Sequence, residues 1–439
     1  MIHLAKEKRG MKRRGVMALV LAGCMAVALS AGCGKKEGAL GGEVAESGEE
    51  IVIEFGVYET DNLTTEIWQN MIDAYETENP GVKIKKVLEA GGSDDQTFWK
   101  TMLSSGSLPD VLMQTEGLET IEGVFAEVPQ ELLNLYEDAA LCEYNGKYIT
   151  IPMVKQYRMQ CYYHKDVFEE LSLQEPETWE DFLYICETIK EAGKVPLMCG
   201  GTGDVWATGE PYWICVGNGA LLSEYPEFNK QLEEGTIQFN NPVTVEVLTA
   251  WQDMVNKGYY YKGAMSLGYP QAAEEFQKGT SVMMMDGSWV AAAMDAEGKD
   301  NIGVFAVPLM DGSKTYTANY IYWGVSETSE HKDIAFDFIR YICEENPEIY
   351  RAYLKADGLY SSTKTAVTYE QGPLMTKFME NISGWEPVTE IFYAVGEYAM
   401  PSGVASFVCK SFQNIFNGAD VSSETVSWDA EYQRLLEAQ

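Results

Sequence analysis

The residues best suited to chemistry stand together in one turn, Asp286-Gly287-Ser288-Trp289, which follows the apolar run 282–285. A carboxylate there can accept hydrogen bonds or carry a proton, a hydroxyl can do both, and an indole offers a flat apolar face. A short, wholly apolar run between turn signals fits a strand buried on both sides, and the carboxyl ends of such strands are where open α/β sheets bind ligands. The same kinds of side chain recur at other expected strand ends: Tyr58 and Glu59, Glu116, Trp206 and Trp213, Tyr320 and Trp323. Pairs such as Glu59 with Glu116 or Asp286 have the groups for two-carboxylate acid–base hydrolysis, which needs them about 5 to 10 Å apart. Carboxylates also serve simply to hold hydroxyls, and no single pair stands out in the sequence.

Other chemistries are disfavoured. Beyond the N-terminal segment only His164 and His331 remain, too few for a His-rich metal site, so no metal and no cofactor are expected. The loop 200–206 is glycine-rich but has neither G-x-G-x-x-G nor G-K-[ST], which argues against a phosphate cradle. Seven cysteines follow Cys33, an odd number without a CxxC; they read as small buried hydrophobes rather than a disulfide framework or a zinc ribbon.

The elements that would position these groups follow from periodicity. Residues 51–57 and 82–88 read as strands, 64–77 as a helix with Trp68 and Tyr75 on its apolar face, 95–105 as a second helix, and 111–113 as a third strand. This β-α-β-α-β order builds a parallel sheet and sets Tyr58, Glu59 and Glu116 on one rim. Asn145-Gly146 marks a hairpin, and 149–152 and 159–163 are two further strands. Thr178-x-x-Asp181 opens a helix in the manner of a capping box. Short strands are expected at 195–198, 302–308 and 319–325, helices from Asn241 and over 332–343, and mostly helix after residue 374. Trp68, Trp99, Trp179 and Trp251 fall on helix faces and belong to cores.

At 439 residues the chain is long enough for two cores. Residues 1–32 hold six Lys or Arg against one Glu, so with a total of −35 the remainder carries −40. A surface that acidic repels phosphate backbones and excludes nucleic acid as a partner. Lys12, Arg13 and Arg14 precede an uncharged run over 15–34 that reads as a targeting segment. Its end, Leu29-Ser30-Ala31-Gly32-Cys33, with a glycine- and glutamate-rich stretch after it, resembles the lipobox of bacterial lipoproteins, which implies acylation of Cys33. Ser30 replaces the usual leucine, and Leu21-Ala22-Gly23-Cys24 is a rival site.

From about residue 50 onward the chain resembles the extracellular solute-binding proteins of the sugar-binding group that includes maltose-binding protein. The resemblance rests on IVIEFGVYE at 51–59, Leu108-Pro109-Asp110-Val111, the run from Ile151-Pro152 through Tyr162-Tyr163-His164-Lys165-Asp166 to Thr178-Trp179-Glu180, and Phe276-x-x-Gly279 with Gly287-Ser288-Trp289. The family usually has Asn where His164 stands, at a surface turn.

The resemblance implies an α/β fold of the type II periplasmic-binding kind, two lobes joined by a hinge with the ligand between them. Residues 50–152 and 314–367 would form lobe 1, and 153–308 and 373–439 lobe 2. The crossings would lie at 309–313 and 368–372, behind a signal peptide at 1–32 and a tether at 33–49. It further implies a non-enzymatic receptor that binds a carbohydrate, an oligosaccharide by preference, and delivers it to ABC transporter permease subunits. The receptor would be a monomer held at the outer face of the cytoplasmic membrane by its lipid alone. Ligand contacts are expected from Trp289 first, then Tyr58, Glu59, Glu116 and Tyr157, with Trp206, Trp213, Asp286, Tyr320 and Trp323 added from their strand-end placement. A secreted glycoside hydrolase and a receptor for a non-sugar solute are the alternatives.

Overall fold

A computed structural model describes residues 50–89, 95–115, 117–203 and 205–438, without the side chains of 95–97. The expected signal segment, Cys33 and the tether lie outside the described residues, as does Glu116.

The first sheet starts as its periodicity dictates. Strand β1 (Ile51–Val57) pairs in parallel with β2 (Val82–Leu88) along its whole length and with β3 (Val111–Met113) on its other edge. Ile53, Phe55 and Val57 point to one side, onto Trp68, Met71, Ile72 and Tyr75 of the helix Thr65–Glu78. Leu112 points to the other, onto Trp99 of the helix Asp95–Ser104. Gly56 sits at the closest approach on that side, where a Cβ would lie 2.8 Å from Leu112 and 3.0 Å from Trp99. A two-residue hairpin joins β4 (Glu143–Tyr144) to β5 (Lys147–Tyr148), with Asn145 and Gly146 both at positive φ, as this turn requires.

The chain then crosses to a second sheet. Strand β6 (Ile151–Tyr157) ends the first sheet's share of this stretch, and after Arg158 and Met159 the chain enters β7 (Gln160–His164) in the second. That sheet is completed by β8 (Leu197–Met198), β9 (Met283–Asp286) and β10 (Ile302–Phe305), in the order β10-β7-β9-β8. Its strands are apolar throughout because both faces are covered. Met283 and Met285 join the core of Phe182 and Trp251, while Met284 joins that of Phe276 and Met294; Cys161 and Tyr163 part from Tyr162 in the same way.

The chain returns through β11 (Thr315–Val325), which lies between β6 and β3 and also carries β13 (Glu386–Val388) at its start. β11 begins four residues before the expected strand because 315–317 pair with β13 ahead of the pairing with β6 that starts at Ala318. Strand β12 (Tyr360–Ser361) adds an edge beside β6, and the helices Pro373–Asn381, Val404–Phe416 and Val421–Leu436 finish the chain against the second sheet.

Local signals are realised in detail. Thr178 accepts a bond from Asp181 N, and the Asp181 carboxylate accepts from Thr178 N, closing the capping box. Trp68, Trp99, Trp179 and Trp251 are core residues. His164, expected at a surface turn, is instead buried with Nε2 2.7 Å from the Phe276 carbonyl. The seven described cysteines are free thiols and all but Cys215 are buried. Among the described residues no helix is long and apolar enough to cross a membrane, and no cluster of His, Cys, Asp or Glu has metal-binding geometry.

Candidate functional site

The turn after β9 gathers the side chains that make it the candidate site. The helix Ser288–Glu297 starts immediately after Gly287, so Trp289 is held in its first turn, half-buried. The indole Nε1 donates to the Tyr269 hydroxyl at 2.7 Å, and that hydroxyl donates to Asp286 Oδ1 at 3.3 Å. Tyr269 opens another helix, Tyr269–Gln277, so two helix starts meet across the strand end. Trp206 completes the group, its ring 4.6 Å from Tyr269 and edge-on to Trp289 at 6.3 Å.

Asp286 is 2% exposed. Its Oδ1 also accepts from Gly287 N at 2.8 Å, while Oδ2 has no partner. Burial lifts the carboxyl to about 7, against the pull of the bonds from Gly287, Tyr269 and the nearby indole.

A polar network continues from the indole face into the crossing. The Arg158 guanidinium lies 5.9 Å from the ring centre of Trp289 and 5.9 Å from that of Tyr393. It donates to Glu210 at 2.9 Å and to Gln156 at 2.9 Å, and stands 3.3 Å from Glu390 Oε2. Tyr393 and Cys409 donate to the other Glu210 oxygen, at 3.2 and 3.3 Å. Asn319 donates to Glu390 Oε2 at 3.1 Å and accepts from Glu390 N at 3.0 Å. Glu390 Oε1 has no partner. Both carboxyls are raised, mainly by burial and against the Arg158 charge, Glu390 to about 8. A single guanidinium between two buried carboxyls favours keeping one proton on the pair, since two bare carboxylates would leave a net charge out of water.

A third part reaches across from the first sheet. Asn62, in the segment leaving β1, donates through Nδ2 to the Trp289 carbonyl at 2.9 Å and to Asp357 Oδ1 at 3.2 Å. Asp357 is buried, and burial lifts it to about 7 against that one bond.

The array therefore brings together Trp206, Asp286 and Trp289 of the residues expected from sequence. Tyr58 and Glu59 lie on the same rim segment as Asn62. Tyr58 is half-buried, its carbonyl accepting from Trp68 at 2.9 Å. Glu59 is exposed and paired with Lys86, which with Thr65 holds its carboxyl below the usual range.

Four expected residues stand elsewhere. Trp213 is fully buried among Phe392, Phe412 and Trp428, and Trp323 is fully buried against Phe55 and Tyr353, so neither ring has a free face. Tyr157 and Tyr320 are turned away by strand alternation. The register Asn319↔Gln156 puts that pair on the Arg158 and Glu390 side, and the neighbouring pairs Ala318↔Tyr157 and Tyr320↔Lys155 on the reverse. There Tyr157 packs on Tyr360 at 4.8 Å and Tyr316 at 5.7 Å, and Tyr320 bonds to Asp138 with Lys155 over its ring. A small cavity of about 20 Å³ adjoins Tyr157, Tyr316, Phe378 and Trp385 at this crossing.

The members of this array that the sequence did not single out are Arg158, Glu210, Tyr269, Glu390, Asn62 and Asp357. Arg158 had a signal, a lone guanidinium between two apolar strands, and so had Glu210, ahead of a proline opening a helix. Glu390 had none, because its partners are 71 and 232 positions away in the chain.

As a chemical device the array offers apolar ring faces beside carboxyl oxygens with open acceptor capacity. Residues 70–377 match the model of the family described as bacterial extracellular solute-binding protein. The multiple sugar-binding protein of Streptococcus mutans is 25% identical over 326 residues, 70% of this chain and 74% of that one. Among solved structures, a chitin oligosaccharide binding protein superposes with a TM-score of 0.75 at 19% identity, covering 88% of this chain and 99% of that one. The ABC substrate-binding protein Lmo0181 of Listeria monocytogenes, in complex with cycloalternan, gives 0.68 at 17% identity, with 88% and 99% covered. These structures share the fold of two α/β lobes.

Proposed function

The chain belongs to the bacterial extracellular solute-binding proteins, and on that premise we propose that it captures a carbohydrate outside the cytoplasm and hands it to the permease of an ABC transporter. The observation that carries the sugar reading is the Trp206–Tyr269–Trp289 group beside Asp286. A pyranose has an apolar C–H face and a rim of hydroxyls. The ring would lie on an indole while hydroxyls donate to the carboxylates. Covering about 100 Å² of apolar surface in this way is worth roughly 2 to 3 kcal/mol before the cost of association. The sugar-binding relative in Streptococcus mutans and the oligosaccharide-binding structures support this ligand class.

Several finer features belong to the same proposal. Cys33 carries the lipid that tethers a monomer to the outer face of the membrane, and residues 33–49 form the tether. Lobe 1 comprises 50–152 and 314–367, and lobe 2 comprises 153–308 and 373–439, with closure about the crossings between them. The protein acts without catalysis, as relatives named for binding support. Glu210 and Glu390, a carboxyl pair linked to the aromatic group through Arg158, are both engaged with that guanidinium rather than flanking open space.

Tryptophan fluorescence titrated with a panel of oligosaccharides tests the reading. Saturable change is expected for at least one member, with the bound sugar recovered uncut after incubation. Silence across the panel from folded protein would refute it, and cleaved products would replace it with hydrolysis.

A further inference from the structure

A stacking platform works only at the angle at which it is held. The backbone of Trp289 is fixed twice, by the first turn of its helix and by Asn62, which donates to the Trp289 carbonyl. The side-chain torsions remain, and a half-buried indole swings about them unless its ring is pinned. Two contacts pin it. The six-membered ring lies over Gly287, where a Cβ would come within 2.1 Å of it. At its other edge Nε1 donates to the Tyr269 hydroxyl at 2.7 Å. Tyr269 is itself placed by other means. It opens the helix Tyr269–Gln277, and its ring packs on Trp206 at 4.6 Å. The segment before it is held where the Leu267 carbonyl accepts from Gly201 N at 2.8 Å and Thr202 N at 3.0 Å. That loop runs so close that a Cβ on Gly200 would meet Tyr269 N at 3.2 Å. The hydroxyl therefore does little to place Tyr269 and much to place Trp289. Its proton goes to Asp286 Oδ1 at 3.3 Å, which leaves a lone pair for the indole N–H. Burial first, then the Asp286 charge, raise this hydroxyl well above its ordinary range, so it keeps its proton. A neutral Asp286 still offers a carbonyl oxygen, so the relay runs the same way in either state of that carboxyl.

Resting on the carbohydrate-receptor reading above, we propose that Tyr269 is a positioning residue, which touches no sugar and fixes the Trp289 ring over Gly287 in the orientation on which a pyranose stacks. A ring held in advance does not have to be ordered when the ligand arrives, and ordering one such side chain costs about tenfold in affinity.

Calorimetry on the purified full chain with raffinose, stachyose and chitotetraose finds the tightest of the three. Tyr269→Phe, which keeps the ring and loses the hydroxyl, should weaken that ligand about tenfold with little change in melting temperature. In a Trp289→Ala background the same change should have no further effect, because no ring is left to hold. Unchanged affinity in the single variant, or an effect that persists without Trp289, would overturn the proposal. Gly287→Ala keeps every polar group but requires the ring to move, and should weaken the same ligand; full affinity there would count equally against a fixed ring. The ligand-free protein gives an independent measure. The near-ultraviolet circular dichroism due to Trp289, obtained by subtracting the spectrum of Trp289→Phe, reports a ring held in one orientation and should fall when Tyr269 is Phe. An undiminished signal would refute the positioning role whether or not a sugar binds, whereas a diminished signal with no binding by any of the three saccharides would uphold it and overturn the carbohydrate reading beneath it.

Discussion

Asp357→Asn offers the cleanest reading of what burial costs at the contact between the two sheets' rims. Asp357 is buried, and the one side-chain bond that steadies its charge comes from Asn62. Its carboxyl is lifted from 3.8 to about 7. The unfolded chain therefore releases this proton near pH 4 and the folded chain near 7. Between those values the folded state holds more protons, so stability is full below about pH 4 and is lost as pH rises toward 7. At 1.36 kcal/mol for each pH unit, the whole loss from this group is roughly 4 kcal/mol, of which about 3 kcal/mol falls between pH 5 and 7. An asparagine keeps the oxygen that accepts from Asn62 and never ionises. Urea unfolding followed by tryptophan fluorescence should therefore show the variant gaining about 3 kcal/mol on the wild type between pH 5 and 8. Other buried acids, such as Asp286, tilt both proteins alike, which is why the difference is the quantity to measure. A difference that stays constant across this range would refute the argument that an uncompensated carboxylate sits at Asp357.

Three further outcomes are expected. Trp289→Ala should leave the fold intact and weaken the tightest sugar by roughly 2 to 3 kcal/mol, on the order of 100-fold in Kd, because it removes the stacking face; fluorescence titration or calorimetry measures it, and unchanged affinity would return the indole to a packing role. Arg158→Gln should destabilise the protein by about 3 to 5 kcal/mol at neutral pH, since it strands two buried carboxyls. Adding Glu390→Gln should restore part of that loss in urea melts, and no recovery would show that the carboxyl pair is not the source. Thr178→Ala removes the acceptor of the capping box and should cost about 1 kcal/mol in the same assay, with ligand affinity unaltered.

How far the sequence could be followed depended on how local each determinant is. The alternation of β9 between two cores was legible because Met283, Met284 and Met285 belong to one continuous apolar run, and only a strand covered on both faces accommodates such a run. The capping box at Thr178, the hairpin at Asn145-Gly146 and the core placement of Trp68, Trp99, Trp179 and Trp251 came from spacing alone, since each is settled within a few residues. The clustering of Asp286 and Trp289 at one strand end was legible for the same reason.

Tertiary structure decided which strand-end side chains share a face. Trp213 and Trp323 looked like site walls by position, yet each lies in a core whose other members come from distant helices and strands. Tyr157 and Tyr320 were lost to register. A shift of one residue exchanges the faces of a strand, and pairing across 163 residues of chain sets whether Gln156 or Tyr157 meets the site. Glu390 was invisible because nothing near it in sequence asks for a charge; Arg158 and Asn319, brought in by the crossing strands, do so in space. The sequence by itself thus determined the elements, their buried faces and the one turn whose groups are contiguous. The polar half of the candidate site is an agreement among separate segments, and its members come into contact only where the two sheets meet.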